Sequence, residues 1–236
     1  MHSFFTDVYK LVIDTILPIR CTVCRKEHTE AVCNDCIQHM ELVIHQRCVV
    51  CGKSSPFGLT HVLCKTTQTP DRTLCLLQYK SPGCAESIIT GKYKFIPSVF
   101  TVYGKLLAQH FETELQILNK DQVIITSLPL HPRRKRWRGY NQSEILAKTY
   151  AEYLGLHYED TLVRVRSTKT QKDLNKDKRI ENVQNSFALS PVAALKEKII
   201  LLIDDVTTTG STLQEAAKIL KQNGALSVWC IALAQD

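Results

Sequence analysis

One run of fifteen residues constrains the fold more than any other part of the chain. Residues 199–213 read Ile-Ile-Leu-Leu-Ile-Asp-Asp-Val-Thr-Thr-Thr-Gly-Ser-Thr-Leu. The stretch from Ile199 to Ile203 has the length and β-branched content of a buried strand. It ends in two adjacent carboxylates, Asp204 and Asp205, and a hydroxyl-rich turn follows from Thr207 to Thr212. Beyond it Leu213, Ala216, Ala217 and Leu220 fall at i, i+3, i+4 and i+7, the apolar face of a helix. A strand that feeds a helix through a short polar turn is an α/β building block. The turn also has the makings of an anion cradle. Free N–H groups at a helix start face an anion, hydroxyls add donors, and Gly210 lets the backbone approach. Carboxylates beside such a cradle suit ribose hydroxyls or a hydrated Mg²⁺. The plainer reading is a solvated Asp pair and a Ser/Thr turn that caps a helix. Strand, acidic pair, turn and helix in this order favour the cradle.

Other strands are expected at 74–79, 122–127, 161–165 and 227–233. Helices are expected within 83–115, interrupted at Pro97 with Lys92-Tyr93-Lys94-Phe95 between them, and at 142–155 and 212–223. This alternation predicts a parallel sheet flanked by helices. In such sheets ligands bind at the carboxyl ends of the strands, where Asp204 stands.

The cysteines define a second unit. Cys21, Cys24, Cys33 and Cys36 form two CxxC pairs, a spacing that presents four thiolates to one Zn²⁺. A second cluster comprises Cys48, Cys51, His61 and Cys64. It reads either as a Cys3His zinc site or as a degenerate one, since Thr67 stands where another CxxC would finish. A cross-braced pairing of Cys21/Cys24 with Cys48/Cys51 is a further arrangement. Cys75, Cys84 and Cys230 lie in apolar or isolated contexts and read as small core residues.

The length of 236 residues suits a full domain plus a small one. The expected division is a helix and cysteine-rich zinc module over 1–70, then the α/β domain over 71–236. A formal charge of +7 permits an anionic partner without requiring one. No stretch reaches the ~18 apolar residues of a membrane span, and residues 1–20 do not read as a signal peptide. Leu11, Val12, Ile16 and Leu17 give them a short amphipathic helix pattern. The expected location is the cytoplasm, a reducing compartment in which clustered cysteines favour metal over disulfides.

Residues 128–142 read Leu-Pro-Leu-His-Pro-Arg-Arg-Lys-Arg-Trp-Arg-Gly-Tyr-Asn-Gln. Arg133, Arg134, Lys135, Arg136 and Arg138 follow a strand end and two prolines, which predicts a loop. Such a loop either closes over a diphosphate or tracks a nucleic-acid backbone, with Trp137 and Tyr140 as stacking faces. A solvated basic loop is the bland alternative. A further polar segment spans 168–187, with Thr170, Gln171, Leu174, Arg179, Asn182, Val183 and Phe187 standing out.

The 199–213 run resembles the phosphoribosyl-pyrophosphate (PRPP) motif of type I phosphoribosyltransferases. That resemblance gives Asp204 and Asp205 the catalytic, ribose-holding role, and Thr207, Thr208, Thr209, Gly210, Ser211 and Thr212 the phosphate. Thr207 sits where an aliphatic residue is more usual. The wider succession resembles the ComF family of competence proteins. It comprises a zinc module, Tyr93-Lys94-Phe95, the 129–142 run ending in Arg-Gly-Tyr-Asn-Gln, the 168–187 run and the PRPP loop. The resemblance implies a type I phosphoribosyltransferase-like parallel sheet flanked by helices, with a small N-terminal cysteine-rich zinc-binding module. It also implies PRPP binding with Mg²⁺, Lys94 at the phosphates, and diphosphate or DNA contacts from Arg133 to Arg138, Asn141 and Gln142. The implied role is natural transformation, handling single-stranded DNA in the cytoplasm beside a helicase-like competence protein.

Two functional classes follow. An active phosphoribosyltransferase of the nucleotide-salvage type would let an acceptor displace diphosphate at the anomeric carbon, with positioning and charge stabilisation supplying most of the rate. A binding module would keep the cradle as a ligand sensor while the zinc module and basic loop hold DNA and a protein partner. An acceptor-recognition hood would distinguish them, and none is identifiable in the sequence.

Overall fold

The structure, a computed structural model, describes residues 19–166 and 181–236. The amphipathic pattern of residues 11–17 and the positions Thr170, Gln171, Leu174 and Arg179 lie outside the described residues.

The described chain begins with the cysteine-rich segment. A short α-helix, α1 (Asn34–Gln38), lies within the first cysteine cluster. The α/β part follows: β1 (Arg72–Gln78), α2 (Cys84–Tyr93), α3 (Ser98–Leu115), β2 (Val123–Ser127), α4 (Pro132–Arg138), α5 (Gln142–Leu154), β3 (His157–Tyr158), β4 (Leu162–Arg164), β5 (Phe187–Leu189), β6 (Ile199–Thr207), α6 (Ser211–Gln222) and β7 (Ser227–Gln235). A parallel sheet runs in the order β1-β7-β6-β2-β3. Its central strand is β6, flanked by β2 and β7.

Side-chain alternation along β6 sets the two faces of the sheet. Leu201 and Ile203 join a core with Ile88, Phe100, Tyr103, Leu107, Leu146 and Tyr150 from α2, α3 and α5. Ile200 and Leu202 point the other way, to Leu213, Ala216, Ala217 and Leu220 of α6. Burial on both faces explains why β6 reads as a continuous apolar run. Fully burying one residue such as Leu220 contributes about 1.5–3 kcal/mol. Where α3 crosses α5, Gly104 allows the contact, since a β-carbon there would stand 2.7 Å from Thr149 Cβ and 3.0 Å from the Leu146 carbonyl. Cys75, Cys84 and Cys230 are buried, as their contexts implied.

Three expectations are corrected. The strand that carries the acidic pair does not stop at Ile203; pairing with β7 continues to Thr207 opposite Gln235, so both carboxylates lie inside β6. Residues 162–164 do form a strand, but β4 pairs antiparallel with β5 outside the main sheet. The basic residues 133–138 form the helix α4 instead of a loop. Pro132 takes the first helical position, the His131 ring accepts the Arg133 N–H at 3.2 Å, and Gly139 closes the end at φ +80. Proline at a helix start is a beginning, not a break.

The cysteine-rich segment covers the outer edge of β1. Val43 N donates to the Leu76 carbonyl at 2.8 Å, and Gln78 N to the Glu41 carbonyl at 2.8 Å. The Gln46 amide brackets Cys75 with two bonds of 2.8 Å, standing in for a strand neighbour. An edge that would otherwise offer unpaired backbone is thereby closed.

Candidate functional site

The acidic pair sits at the carboxyl end of β6, buried among partners from α2 and α5. Gln142 Nε2 donates to Asp205 Oδ1 at 3.0 Å, and the Ser143 hydroxyl donates to Asp204 Oδ1 at 2.9 Å. Both partners lie at the start of α5, where the Asn141 side chain accepts the Ser143 N–H at 3.3 Å and donates to the Leu128 carbonyl at 3.1 Å. Asn141 therefore fixes how α5 meets the strand end. Lys92 forms an ion pair with Asp205.

The environments push the two carboxyls apart. Burial alone would raise Asp205, but Lys92, Gln142 and Arg138 outweigh it and hold it below the usual carboxylate range. Asp204 is raised to about 7 by burial and by the charge of Asp205 beside it. One carboxylate is thus held charged, and its neighbour holds its proton more tightly than a free carboxyl does.

The lysine at this pair is Lys92, on the last turn of α2. Lys94, the position singled out in the sequence, is exposed beyond the helix end and makes no ion pair among the described residues. Helical geometry separates the two, since residues two apart do not share a face. Ser143 was likewise missed; only the fold brings it to Asp204.

The hydroxyl-rich turn leads from β6 into α6. Gly210 is the residue before the first helical turn and has φ +71, a left-handed conformation that favours glycine. The Thr209 and Ser211 hydroxyls are 3.0 Å apart, and Ser211 N donates to Thr209 Oγ1 at 3.4 Å. The turn opens beside the acidic pair, with the first N–H groups of a twelve-residue helix behind it.

The cysteines form two clusters, each with its ligand atoms within 4.8 Å of one another. In the first, Cys21 and Cys36 sulfurs are 3.7 Å apart, and Cys24 and Cys33 sulfurs 3.8 Å. A tetrahedral ion with bonds of ~2.3 Å spaces its sulfurs about 3.8 Å apart, so the set fits zinc. Burial raises the Cys21 thiol, but backbone N–H groups of Cys33, Cys24 and Val23 outweigh it and bring it down to about 6. Such a thiol gives up its proton readily to a metal.

The second cluster joins Cys48, Cys51, His61 and Cys64, so His61 takes the place left open by Thr67. His61 Nδ1 lies 3.3 Å from the Cys51 sulfur. Its Nε2 is 3.1 Å from the Ser54 carbonyl. That bond places a proton on Nε2 and leaves Nδ1 as the ligand atom. The cross-braced pairing is not what the described residues form: each cluster is drawn from consecutive cysteines.

The basic helix α4 divides into two sides. Arg138 turns inward; its Nη1 donates to Gln142 Oε1 at 2.5 Å, and its guanidinium lies 5.7 Å from the Tyr93 ring centre. Lys135 is tied to Glu144 at 2.8 Å. Arg133, Arg136 and Trp137 face solvent. The Trp137 ring packs edge-on against Tyr93 at 6.0 Å and Phe95 at 5.5 Å, and all three remain about half exposed. Tyr140 is not part of this face. It packs on Phe100, and its hydroxyl donates to the Gly91 carbonyl.

Two stretches of the chain match known families. Residues 141–236 match the family described as "Phosphoribosyl transferase domain", and residues 12–68 match "Double zinc ribbon domain". The chain is thus similar to a double zinc ribbon in its first part and to a phosphoribosyl transferase domain in its last. Among its relatives is "DNA utilization protein YhgH" of Salmonella typhi, 43% identical over 111 residues, covering 45% of this chain and 48% of that protein. "Competence protein F" of Haemophilus influenzae is 37% identical over 117 residues, covering 47% of this chain and 50% of that protein. The chain thus spans about half the length of these two relatives in the match. "Competence protein ComFC" of Streptococcus pneumoniae is 26% identical over 230 residues, covering 94% of this chain and 95% of that protein. These relatives bear out the resemblance to the ComF family. Among the described residues no helix is long and apolar enough to cross a membrane.

Proposed function

We propose that this chain is a competence factor of natural transformation. It binds PRPP through its phosphoribosyl transferase domain and handles incoming single-stranded DNA in the cytoplasm, beside a helicase-like partner. The observation that carries the PRPP reading is the buried pair Asp204–Asp205, set beside a helix-start turn of hydroxyls and N–H groups. A bound ribose would find Asp204 held through Oδ1 by Ser143, leaving its Oδ2 to accept, beside Asp205 held charged by Gln142 on Oδ1 and Lys92 on Oδ2. The 5′-phosphate would meet the turn from Thr207 to Thr212. Mg²⁺ carried with PRPP would neutralise the diphosphate. Asp204 is tuned to lose its proton as positive charge approaches, because its own charge is opposed mainly by burial and by Asp205.

Support for the DNA reading comes from the outer side of α4. Exposed cations at Arg133 and Arg136 border exposed rings at Trp137, Tyr93 and Phe95. Cations that track a backbone beside rings that stack on bases suit single strands without sequence preference. Trp137 is 58% exposed whereas Trp229, the other tryptophan, is 8% exposed, so quenching by an oligonucleotide reports on this face.

Calorimetry tests the first half. Asp205→Asn is expected to abolish PRPP binding and leave the fold intact; unchanged affinity refutes the assignment. Diphosphate release from PRPP and Mg²⁺, screened across free bases and single-stranded DNA, separates a binding protein from a salvage-type transferase.

A further inference from the structure

The second metal cluster is seated on the phosphate turn. A β-carbon at Gly210 would stand 2.3 Å from Val49 Cγ2, so the ribbon and the turn are in contact there. The Val49 carbonyl accepts a hydrogen bond of 3.0 Å from Gln214 Nε2, on the first turns of α6. Between the two elements opens a cavity of about 220 Å³. One wall is the turn from Thr207 to Gly210, and the opposite one is Arg47 with Cys48, Val49, Val50 and Gly52; β1 and the end of β7 close the rest, together with Asp236, whose carboxylate is paired with Lys80 at 2.8 Å. Arg47 is exposed at this wall and makes no ion pair among the described residues. The first cluster lies elsewhere: Ala31, Val32 and Met40 beside it join the core under α2 and α3.

We propose that Arg47 is a phosphate-contacting residue that the zinc ribbon supplies to the phosphoribosyl transferase domain, and that metal in the Cys48, Cys51, His61 and Cys64 cluster holds it in place. The proposal rests on the reading that the turn takes the 5′-phosphate of a phosphorylated ribose. Backbone N–H groups and hydroxyls of the turn give donors on one side of the anion. A guanidinium on the other side gives charge-assisted donors where the turn itself has no cation. The Cys48–Gly52 loop has little core of its own. Its shape depends on the ligands around it, and metal binding and folding are coupled in such small units. Losing that metal therefore loosens the wall that carries Arg47 and the Val49 contact.

The test uses the whole chain. Ribose 5-phosphate and PRPP are titrated by calorimetry, and zinc is counted by native mass spectrometry. Arg47→Gln is expected to keep the zinc count of the unmutated chain and to weaken ribose 5-phosphate at least fivefold. His61→Ala is expected to lose one zinc and to weaken it by as much or more. Lys53→Gln removes the same charge from an exposed ribbon position that does not line the cavity, and is expected to bind as the unmutated chain does. If Arg47→Gln and His61→Ala both bind ribose 5-phosphate normally while the unmutated chain binds PRPP, the ribbon's role is overturned and the PRPP reading stands. If the unmutated chain binds neither ligand, both fall. Should His61→Ala fail to fold, Arg47→Gln decides alone.

Discussion

Asp204 is expected to cost the folded protein stability as the pH rises, and Asp204→Asn is expected to recover it. Burial and the neighbouring Asp205 charge raise its pKa from 3.8 to about 7. The folded state therefore holds a proton that the unfolded chain has released across the window from about pH 4 to about pH 7. Its contribution is fully present below the unfolded value and is lost as the pH climbs through the folded one. Each pH unit in that window is worth about 1.4 kcal/mol for one group, so pH 5 to pH 8 spans a ceiling of about 3 kcal/mol. The pull of Lys92 and the Ser143 hydroxyl towards the charged form is already contained in that value; a change of about 1–3 kcal/mol is expected. Asparagine is nearly isosteric, and its carbonyl oxygen still accepts from Ser143 and from the Asp205 N–H. Urea unfolding of both proteins at pH 5 and pH 8 isolates the effect, because ribbon cysteines and other titrating groups cancel in the difference. Relative to wild type, Asp204→Asn is expected to gain stability between the two pH values while losing PRPP binding. A difference that stays constant with pH, or moves the other way, refutes the account of Asp204 as a buried, charge-opposed acid.

Other consequences are simpler to check. Cys24→Ser is expected to remove one zinc per chain and lower the thermal midpoint by several degrees, since metal binding is folding energy in so small a unit; an unchanged zinc count by elemental analysis would contradict it. Gly104→Val places atoms against Thr149 and the Leu146 carbonyl where α3 crosses α5. It is expected to cost about 1–3 kcal/mol in denaturant unfolding, and full stability would mean that the helices do not approach as closely as described. Replacing Arg133, Arg134 and Arg136 with alanine is expected to weaken single-stranded DNA binding and to reduce the slope of log K against log salt by about 2, near 0.7 per phosphate contact. Unaltered affinity and slope, followed by Trp137 quenching, would remove this face from DNA binding.

The fold was legible where residues act locally. The apolar face of α6 and the buried strands β2, β6 and β7 follow from periodicity and side-chain type. The first cysteine cluster follows from spacing alone. What the sequence obscured depends on which partner a residue meets. For His61, which spacing already offered as a ligand beside a degenerate alternative, the deciding contact is the Ser54 carbonyl that orients its ring. Lys92, not Lys94, reaches Asp205 because a helix turns its side chains by position. Proline 132 stands at a helix start rather than in a loop because His131 caps the N–H groups that follow. β4 sits outside the parallel sheet because its partner is β5, some twenty residues on, across a segment that local pattern does not describe.

One side chain belongs to both candidate surfaces, and that governs how they are to be separated. Arg138 lies under the Tyr93 ring, which packs against Trp137 on the basic, aromatic face. The same guanidinium holds Gln142 Oε1 while Gln142 Nε2 holds Asp205. Removing Arg138 would therefore free the Gln142 amide to turn and take away a positive charge that helps to keep Asp205 ionised. It would also leave the Tyr93 ring without the cation beneath it. Loss of DNA binding in such a variant would carry no information about which surface failed. Arg133 and Arg136 point away from this chain of contacts and face solvent, so substitutions there address the outer face alone. Asp205→Asn addresses the inner site, because among the described residues its carboxyl is bonded by Lys92 and Gln142, neither of which faces the outer side of α4.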